Sequence, residues 1–219
     1  MTRLPVEPFQ DRSCEPPVRG FLHRPATANG DALVLTHSAG GNCQSPLLVA
    51  LAEAFAESGM TVLRCDLPFR QLRPHGPPGP GSAARDREGL RQAVLAVRKV
   101  APGRVVLGGH SYGGRQASML AAEDSAISAA LLLLSYPLHP PRRPAQLRTA
   151  HFPQLRVPSL FVQGTRDEFA AIEEITSALR LIPAQTRLLV IEGEGHSLGK
   201  DFSQIAARVS AAFAEFIAA

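Results

Sequence analysis

Short runs of apolar residues alternate along the chain with longer segments whose apolar positions recur every three or four residues. The runs predict buried strands, and the longer segments predict amphipathic helices. The predicted strands cover residues 18–25, 32–38, 60–68, 104–109, 128–138, 158–164 and 186–193. The predicted helices cover residues 46–58, 83–100, 112–122, 168–182 and 201–218. This alternation indicates βαβ units and a mostly parallel sheet.

The pattern predicts one α/β domain over residues 1–219, in which helices cover both faces of a doubly wound sheet. We expect the strand at 18–25 to be antiparallel and the very apolar strand at 128–138 to be central. The irregular stretch at 139–156 is short and rich in proline, so it predicts no substantial cap domain. Ligands of such sheets bind beyond the carboxyl ends of the strands, where we expect an open site.

Composition and charge exclude several classes of protein. The net charge is only +4, and the arginines are scattered without the long basic run of a nucleic-acid-binding arm. The sequence has neither an apolar signal segment nor a membrane-spanning run. Three cysteines without CxxC spacing favour neither a disulfide framework nor a cysteine zinc site. We therefore expect a cytoplasmic protein with no nucleic-acid or membrane partner, no metal and no organic cofactor.

One short motif carries the strongest chemical signal. Residues 109–113, Gly-His-Ser-Tyr-Gly, fit the pattern G-x-S-x-G between a predicted strand and a predicted helix. A nucleophile elbow requires this context, because the serine sits in a strained turn and the glycines let strand and helix approach closely. The helix dipole would favour negative charge at Ser111. A tight turn or a phosphate-binding turn would use the same glycines without catalysis.

A serine nucleophile needs a base and an orienting carboxylate, and two later loops offer them. Asp167 follows one predicted strand, and His196 follows the next. The order Ser, Asp, His is the order found in α/β hydrolases. Taken alone, Asp167 fits a helix N-cap and His196 an ordinary loop histidine, but their agreement with Ser111 favours a triad. Glu192 and Glu194 rank below Asp167 because they share the loop of the histidine.

The predicted oxyanion hole uses backbone N–H groups from two loops. Tyr112, directly after the serine, is expected to supply one donor. The loop after the strand at 32–38 is expected to supply the other, with Ala39 ranked first and Ser38 second. In the alternative interpretation, the glycines at 40–41 only turn the chain into the next helix.

Polar side chains in the two irregular stretches are expected near the mouth of the site. Besides Ser38, the candidates are Arg70, Arg73 and His75 in the first stretch and His139, Arg142 and Arg143 in the second. Such a mouth would favour anionic substrates. The alternative is solvated loop charge, which is the commoner role of exposed arginines.

Five stretches carry a family resemblance: "LTHSAGGN", "GGHSYGGR", "SYPLHPPRRPAQLRTAHF", "LFVQGTRDEF" and "GEGHSL". The chain resembles the hydrolase-like proteins grouped with testis-expressed protein 30 and the NSL histone-acetyltransferase complex subunit 3, relatives of dienelactone-hydrolase-like enzymes. The resemblance implies a three-layer α/β-hydrolase fold, with Ser111, Asp167 and His196 as its triad. Such proteins usually have His-Gly where this chain has His37-Ser38. Dienelactone hydrolases use a cysteine nucleophile, so their lactone substrate is not carried over.

The sequence therefore predicts a serine hydrolase, carboxylesterase-like, that cleaves an ester or related acyl bond of a small soluble substrate. A thioesterase or a small-peptide hydrolase would use the same residues. Because some eukaryotic members of the group act as complex subunits, a non-catalytic interaction protein is a third hypothesis, which the complete triad disfavours. Acyl length and oligomeric state stay open.

Overall fold

The computed structural model describes residues 4–218. The strands are Val6–Asp11 (β1), Val18–His23 (β2), Ala32–Thr36 (β3), Thr61–Cys65 (β4), Val105–His110 (β5), Ala130–Leu134 (β6), Ser159–Gly164 (β7) and Thr186–Ile191 (β8). The helices are Pro46–Glu57 (α1), Pro68–Leu72 (α2), Ser82–Arg98 (α3), Tyr112–Glu123 (α4), Ile172–Leu179 (α5) and Phe202–Ala218 (α6). A 3₁₀ turn covers Phe152–Gln154.

All eight strands form one sheet in the order β1-β2-β4-β3-β5-β6-β7-β8. The strands from β3 to β8 are parallel, and β2 is antiparallel to both of its neighbours, which confirms the predicted sheet. The chain passes from β3 outward to β4 and then returns to β5 on the other side of β3. This reversal opens a crevice at the carboxyl ends of β3 and β5.

The core consists of two apolar layers, one on each face of the sheet. Successive side chains of a strand point to opposite faces. Leu33 and Leu35 of β3 therefore pack in the layer of α1 and α6, whereas Val34 packs in the layer of α3 and α4. Phe55 of α1 meets Phe213 of α6 edge to face, with ring centroids 5.6 Å apart. Strands buried on both faces read as continuous apolar runs, and the sequence pattern detects such runs well.

The structure corrects the predicted elements at several places. Strand β1 escaped prediction because it is an edge strand with mostly exposed side chains. The short helix α2 lies in the stretch predicted as a loop. Helix α5 begins at Ile172, because the residues after β7 form a loop around Asp167. Strand β6 is shorter than predicted, and it is an interior strand rather than the central one.

Within residues 4–218, no cap domain covers the carboxyl ends of the strands. The connection from β6 to β7 holds only turns and the 3₁₀ helix, as its length and prolines predict. The crevice at the centre of the sheet is therefore open to ligands from above.

Across the described chain, no helix has the length and apolar character needed to cross a membrane.

Candidate active site

Ser111 occupies the sharp turn between β5 and α4. Its φ of 52° and ψ of −115° are strained for a residue with a side chain. The Ser111 amide donates to the carbonyl of Leu134 at 2.8 Å, which ties the turn to β6. A Cβ at Gly113 would lie 2.6 Å from the carbonyl oxygen of His37, so this close approach requires glycine. The turn has the conformation of a nucleophile elbow.

The structure brings Ser111, His196 and Asp167 into one hydrogen-bonded chain. His196 Nδ1 lies 2.9 Å and 2.8 Å from the two carboxylate oxygens of Asp167, to which it donates its proton. His196 Nε2 is then free to accept from the Ser111 hydroxyl, and this distance is 2.8 Å. The Asp167 side chain is fully buried, whereas that of His196 is 22% exposed at the cleft. Asp167, and not Glu192 or Glu194, is the carboxylate that meets the histidine.

Two further donors hold the Asp167 carboxylate in place. Gln163 Nε2 donates to Oδ2 at 2.7 Å, and the amide of Phe169 donates to Oδ1 at 2.9 Å. The Oε1 atom of Gln163 accepts from the amide of Tyr136 at 3.0 Å, so the glutamine cannot rotate freely. A Cβ at Gly164 would clash with the loop that carries His196. Gln163 was not among the residues predicted from the sequence, although its position at the end of β7 is a signal.

His196 is enclosed by two aromatic side chains. Phe169 stacks on its imidazole with ring centroids 4.1 Å apart. His110 Nε2 donates to the carbonyl oxygen of His196 at 2.7 Å and so fixes the backbone of the loop. Burial lowers the pKa of His110 to about 4, so this side chain stays neutral near pH 7. Both residues were missed as functional candidates, although His110 precedes the serine directly.

The proposed oxyanion donors face the same cleft as the serine. A cleft of about 470 Å³ is lined by Ser38, Ala39, Gly40, Ser111, Tyr112, Arg115, Pro137, Arg148, Phe169 and His196. Within residues 4–218, the backbone N–H groups of Ala39 and Tyr112 donate no hydrogen bond to the protein. Unpaired amides at a cleft wall are available to an anionic ligand atom.

The loop that carries Ala39 is held from behind by Arg70 and His37. The Arg70 guanidinium donates to the carbonyl of Ala39 at 2.9 Å and to that of Gly41 at 2.7 Å. His37 Nδ1 donates to the carbonyl of Ser38 at 2.8 Å, while its Nε2 accepts from the amide of Leu67 at 3.0 Å. Burial lowers the pKa of His37, in keeping with this neutral tautomer. Ser38, which replaces the expected glycine, thus lies in a loop braced on both sides.

Of the seven predicted mouth residues, Ser38 lines the cleft and the other six do not. Arg73, Arg142 and Arg143 are exposed on their loops. Arg70 is 4% exposed, and its guanidinium is satisfied by four backbone carbonyls, so it braces a loop and does not face a ligand. His139 is buried, with Nε2 3.2 Å from a Glu174 carboxylate oxygen. His75 is exposed on the loop after α2 and does not line the cleft. The charges that do reach the cleft are Arg115 and Arg148.

Tyr112 both lines the cleft and anchors the elbow. Its hydroxyl donates to Asp86 Oδ2 at 2.7 Å, and the amide of Phe69 donates to Oδ1 at 3.0 Å. Burial raises the pKa of Asp86, against the opposing effect of these two hydrogen bonds. Helix α3 thereby holds the start of α4.

No cluster of three or more His, Cys, Asp or Glu side chains in the described part of the chain could hold a metal ion.

An open parallel sheet with a serine elbow at its switch point defines the class of α/β hydrolases. Residues 29–217 match the model of the family described as "Alpha/beta hydrolase domain". The chain belongs to this family.

Solved structures share the fold over nearly the whole chain. A dienelactone hydrolase from Anabaena variabilis is 20% identical, with a TM-score of 0.79 over 98% of this chain and 99% of that one. An alpha-beta serine hydrolase homologue from Coxiella burnetii is 18% identical, with a TM-score of 0.78 over 94% and 96%. A lidless α/β serine hydrolase from Xanthomonas campestris is 18% identical, with a TM-score of 0.72 over 99% and 96%.

Proposed function

We propose that this protein is a carboxylesterase-like serine hydrolase that cleaves ester bonds of small soluble molecules. The observation that carries the proposal is the hydrogen-bonded chain from the Ser111 hydroxyl through His196 to the buried Asp167 carboxylate. A small-residue turn would need neither a histidine at 2.8 Å from its serine nor a buried carboxylate behind that histidine. The same chain of contacts argues against a purely structural role for the motif.

The proposed reaction passes through an acyl-enzyme. Ser111 Oγ forms a bond to the acyl carbon while His196 Nε2 takes the hydroxyl proton, and the carbonyl electrons move onto the oxygen. The N–H groups of Ala39 and Tyr112 stabilise this oxyanion, at about 3 kcal/mol for each donor. The tetrahedral intermediate then collapses, and His196 delivers its proton to the leaving alcohol. A water molecule then attacks the acyl carbon while His196 Nε2 takes its proton. Collapse of this second intermediate returns the proton to Ser111 Oγ and releases the acid.

Asp167 has two roles in this mechanism. Its carboxylate keeps the proton of the neutral imidazole on Nδ1, so Nε2 faces the serine. It also stabilises the imidazolium that forms when His196 takes up the serine proton. Gln163 and the amide of Phe169 fix the carboxylate so that it cannot turn away from the histidine.

The proposal also includes a subgroup within the family and a cellular compartment. We place the protein near the group of testis-expressed protein 30 and NSL complex subunit 3, on the five sequence stretches that resemble it. We also place it in the cytoplasm, because its three cysteines are free thiols, two of them buried, as in a reducing compartment.

A panel of matched ester, thioester and amide substrates tests the proposal. We expect turnover of short p-nitrophenyl esters by the wild type and a loss of about 10⁴-fold or more in kcat for Ser111→Ala and His196→Ala. Arg143→Gln, an exposed change on the β6–β7 connection, serves as a matched control. A folded wild type that hydrolyses no member of the panel would overturn the proposal, and so would a Ser111→Ala variant with wild-type rates. Faster thioester or amide turnover would change the assigned bond.

A further inference from the structure

We propose that the cleft binds an anionic group of the substrate, a carboxylate or a phosphate, through Arg115 and Arg148. The inference deepens the proposed function and rests on it, because it names the substrate class of the same site. It replaces the mouth residues expected from the sequence with two arginines that the cleft wall contains.

The two arginines come to the cleft from separate segments of the chain. Arg115 lies four residues after Ser111 in the first turns of α4, and side chains at this spacing share a helix face. Arg148 lies on the connection from β6 to β7. Both line the cleft that contains the Ser111 hydroxyl. A ligand bound over the serine therefore lies in a cleft whose wall includes both arginines.

Neither guanidinium is neutralised by a carboxylate. Across residues 4–218, no ion pair includes Arg115 or Arg148. The acidic side chains at the carboxyl end of α4 are already engaged: Glu123 pairs with Arg87 at 2.9 Å, and Asp124 pairs with Arg91. Arg115 Nε is buried and has no hydrogen-bond acceptor in the described structure. The site therefore holds two positive charges without counter-charge.

Such an arrangement is costly for an empty protein and favourable once an anion is bound. Burial lowers the pKa of Arg148, and the nearby Arg115 lowers it further. Like charges in a partly dehydrated wall repel each other, whereas an anion between them is attracted by both. Guanidinium groups also match carboxylate and phosphate oxygens with paired hydrogen bonds.

The backbone holds Arg148 in place before any ligand arrives. Its amide donates to the carbonyl of Leu138 at 2.7 Å, and its carbonyl accepts from the Tyr136 hydroxyl at 2.9 Å. Tyr136 is fully buried and packs against Phe152 and Phe161. The guanidinium itself makes one long contact, from Nη1 to the carbonyl of Pro137 at 3.4 Å. The residue is thus anchored by its backbone, while most of its donors remain available.

Three methyl esters with the same chain length test the proposal: methyl valerate, monomethyl glutarate and methyl 4-phosphonobutyrate. We expect kcat/KM to be about tenfold or more higher for at least one anionic ester than for methyl valerate. Arg115→Gln and Arg148→Gln are each expected to reduce this preference by about tenfold, which brings kcat/KM for the anionic ester close to that for methyl valerate. Arg148→Lys should keep part of it, because charge remains but the fork is lost. Arg143→Gln, which removes an exposed charge from the same connection, should keep the full preference.

Direct binding separates this proposal from the function on which it rests. Calorimetry with monomethyl glutarate is carried out on Ser111→Ala and on Ser111→Ala combined with Arg148→Gln, so no turnover is required. We expect binding that weakens at least about tenfold in the double variant. Serine-dependent hydrolysis without preference for either anion would overturn the anion site alone. If no ester is hydrolysed, the proposed function fails, and equal binding by both variants would then overturn the anion site as well.

Discussion

Replacing Arg70 with lysine tests whether the loop that carries Ala39 must be held rigid for acyl transfer. Arg70 lies behind the loop and does not line the cleft. Its guanidinium joins the carbonyls of Ala39 and Gly41 to those of Arg73 and Gly76, at distances from 2.7 to 3.0 Å. A substitution here therefore changes the position of a proposed oxyanion donor without removing any group that touches the substrate.

The magnitude follows from the four contacts. A lysine ammonium donates from a single point and cannot reach carbonyls on both sides of the planar fork. At least one buried carbonyl loses its donor, which lowers the free energy of unfolding by about 1–3 kcal/mol. Complete loss of one oxyanion donor would lower kcat by about 10²- to 10³-fold. Because Ala39 would be displaced and not removed, we expect a loss of about ten- to hundredfold in kcat, with a smaller change in KM.

The assay combines steady-state kinetics on a p-nitrophenyl ester with urea denaturation at the same temperature. Arg73→Lys is the matched control, because its side chain is exposed on the same segment, and it should leave both measurements unchanged. A role limited to stability would lower the urea midpoint while kcat per folded molecule stayed at the wild-type value. That result would refute the reasoning that Arg70 positions the oxyanion donor.

Three further predictions concern the surroundings of the site. Gln163→Glu sets a second carboxylate beside Asp167, so one of the pair must hold a proton when folded. The folded state then binds more protons than the unfolded state, so the variant should lose stability relative to wild type as pH rises from about 5 to 8. Urea midpoints that change equally with pH in the variant and in wild type would contradict this prediction. Burial lowers the pKa of His110 to about 4 from an ordinary 6.5, so the unfolded state binds more protons between these values. On acidification from about pH 7 to 4.5, the free energy of unfolding should therefore fall by about 1–3 kcal/mol more in wild type than in His110→Gln. Equal losses in urea titrations of the two proteins would contradict this prediction. Gly113→Ala should lower the melting temperature, because the new Cβ would lie 2.6 Å from a backbone carbonyl oxygen. Gly40→Ala should leave the melting temperature nearly unchanged, because a Cβ there meets nothing within 4 Å.

The sequence could predict the parallel sheet and the meeting of Ser111, Asp167 and His196 for one physical reason. Each of these residues follows a strand of the parallel part of the sheet, and the carboxyl ends of parallel strands converge at one edge. Strand β1 could not be recognised, because an exposed edge strand has no apolar alternation.

The side chains that surround the triad were harder to predict. Arg70 reaches Ala39 from a separate loop, and no local pattern encodes such a contact. Position in the two irregular stretches also misled, since Arg70 and His139 turn inward to satisfy polar groups of the protein. Arg115 did carry a signal, because it lies one helical turn after Ser111. Arg148 depended on the path of the β6–β7 connection, which composition alone does not define.

Covalent labelling by a fluorophosphonate tests the central claim most directly, because the reagent forms a stable adduct with an activated serine and needs no knowledge of the substrate. Intact-protein and peptide mass spectrometry then locate the adduct. We predict one adduct on wild type, on the peptide that contains Ser111, and none on a folded Ser111→Ala variant. A folded wild type that stays unlabelled, or an adduct that persists in Ser111→Ala, would contradict the account.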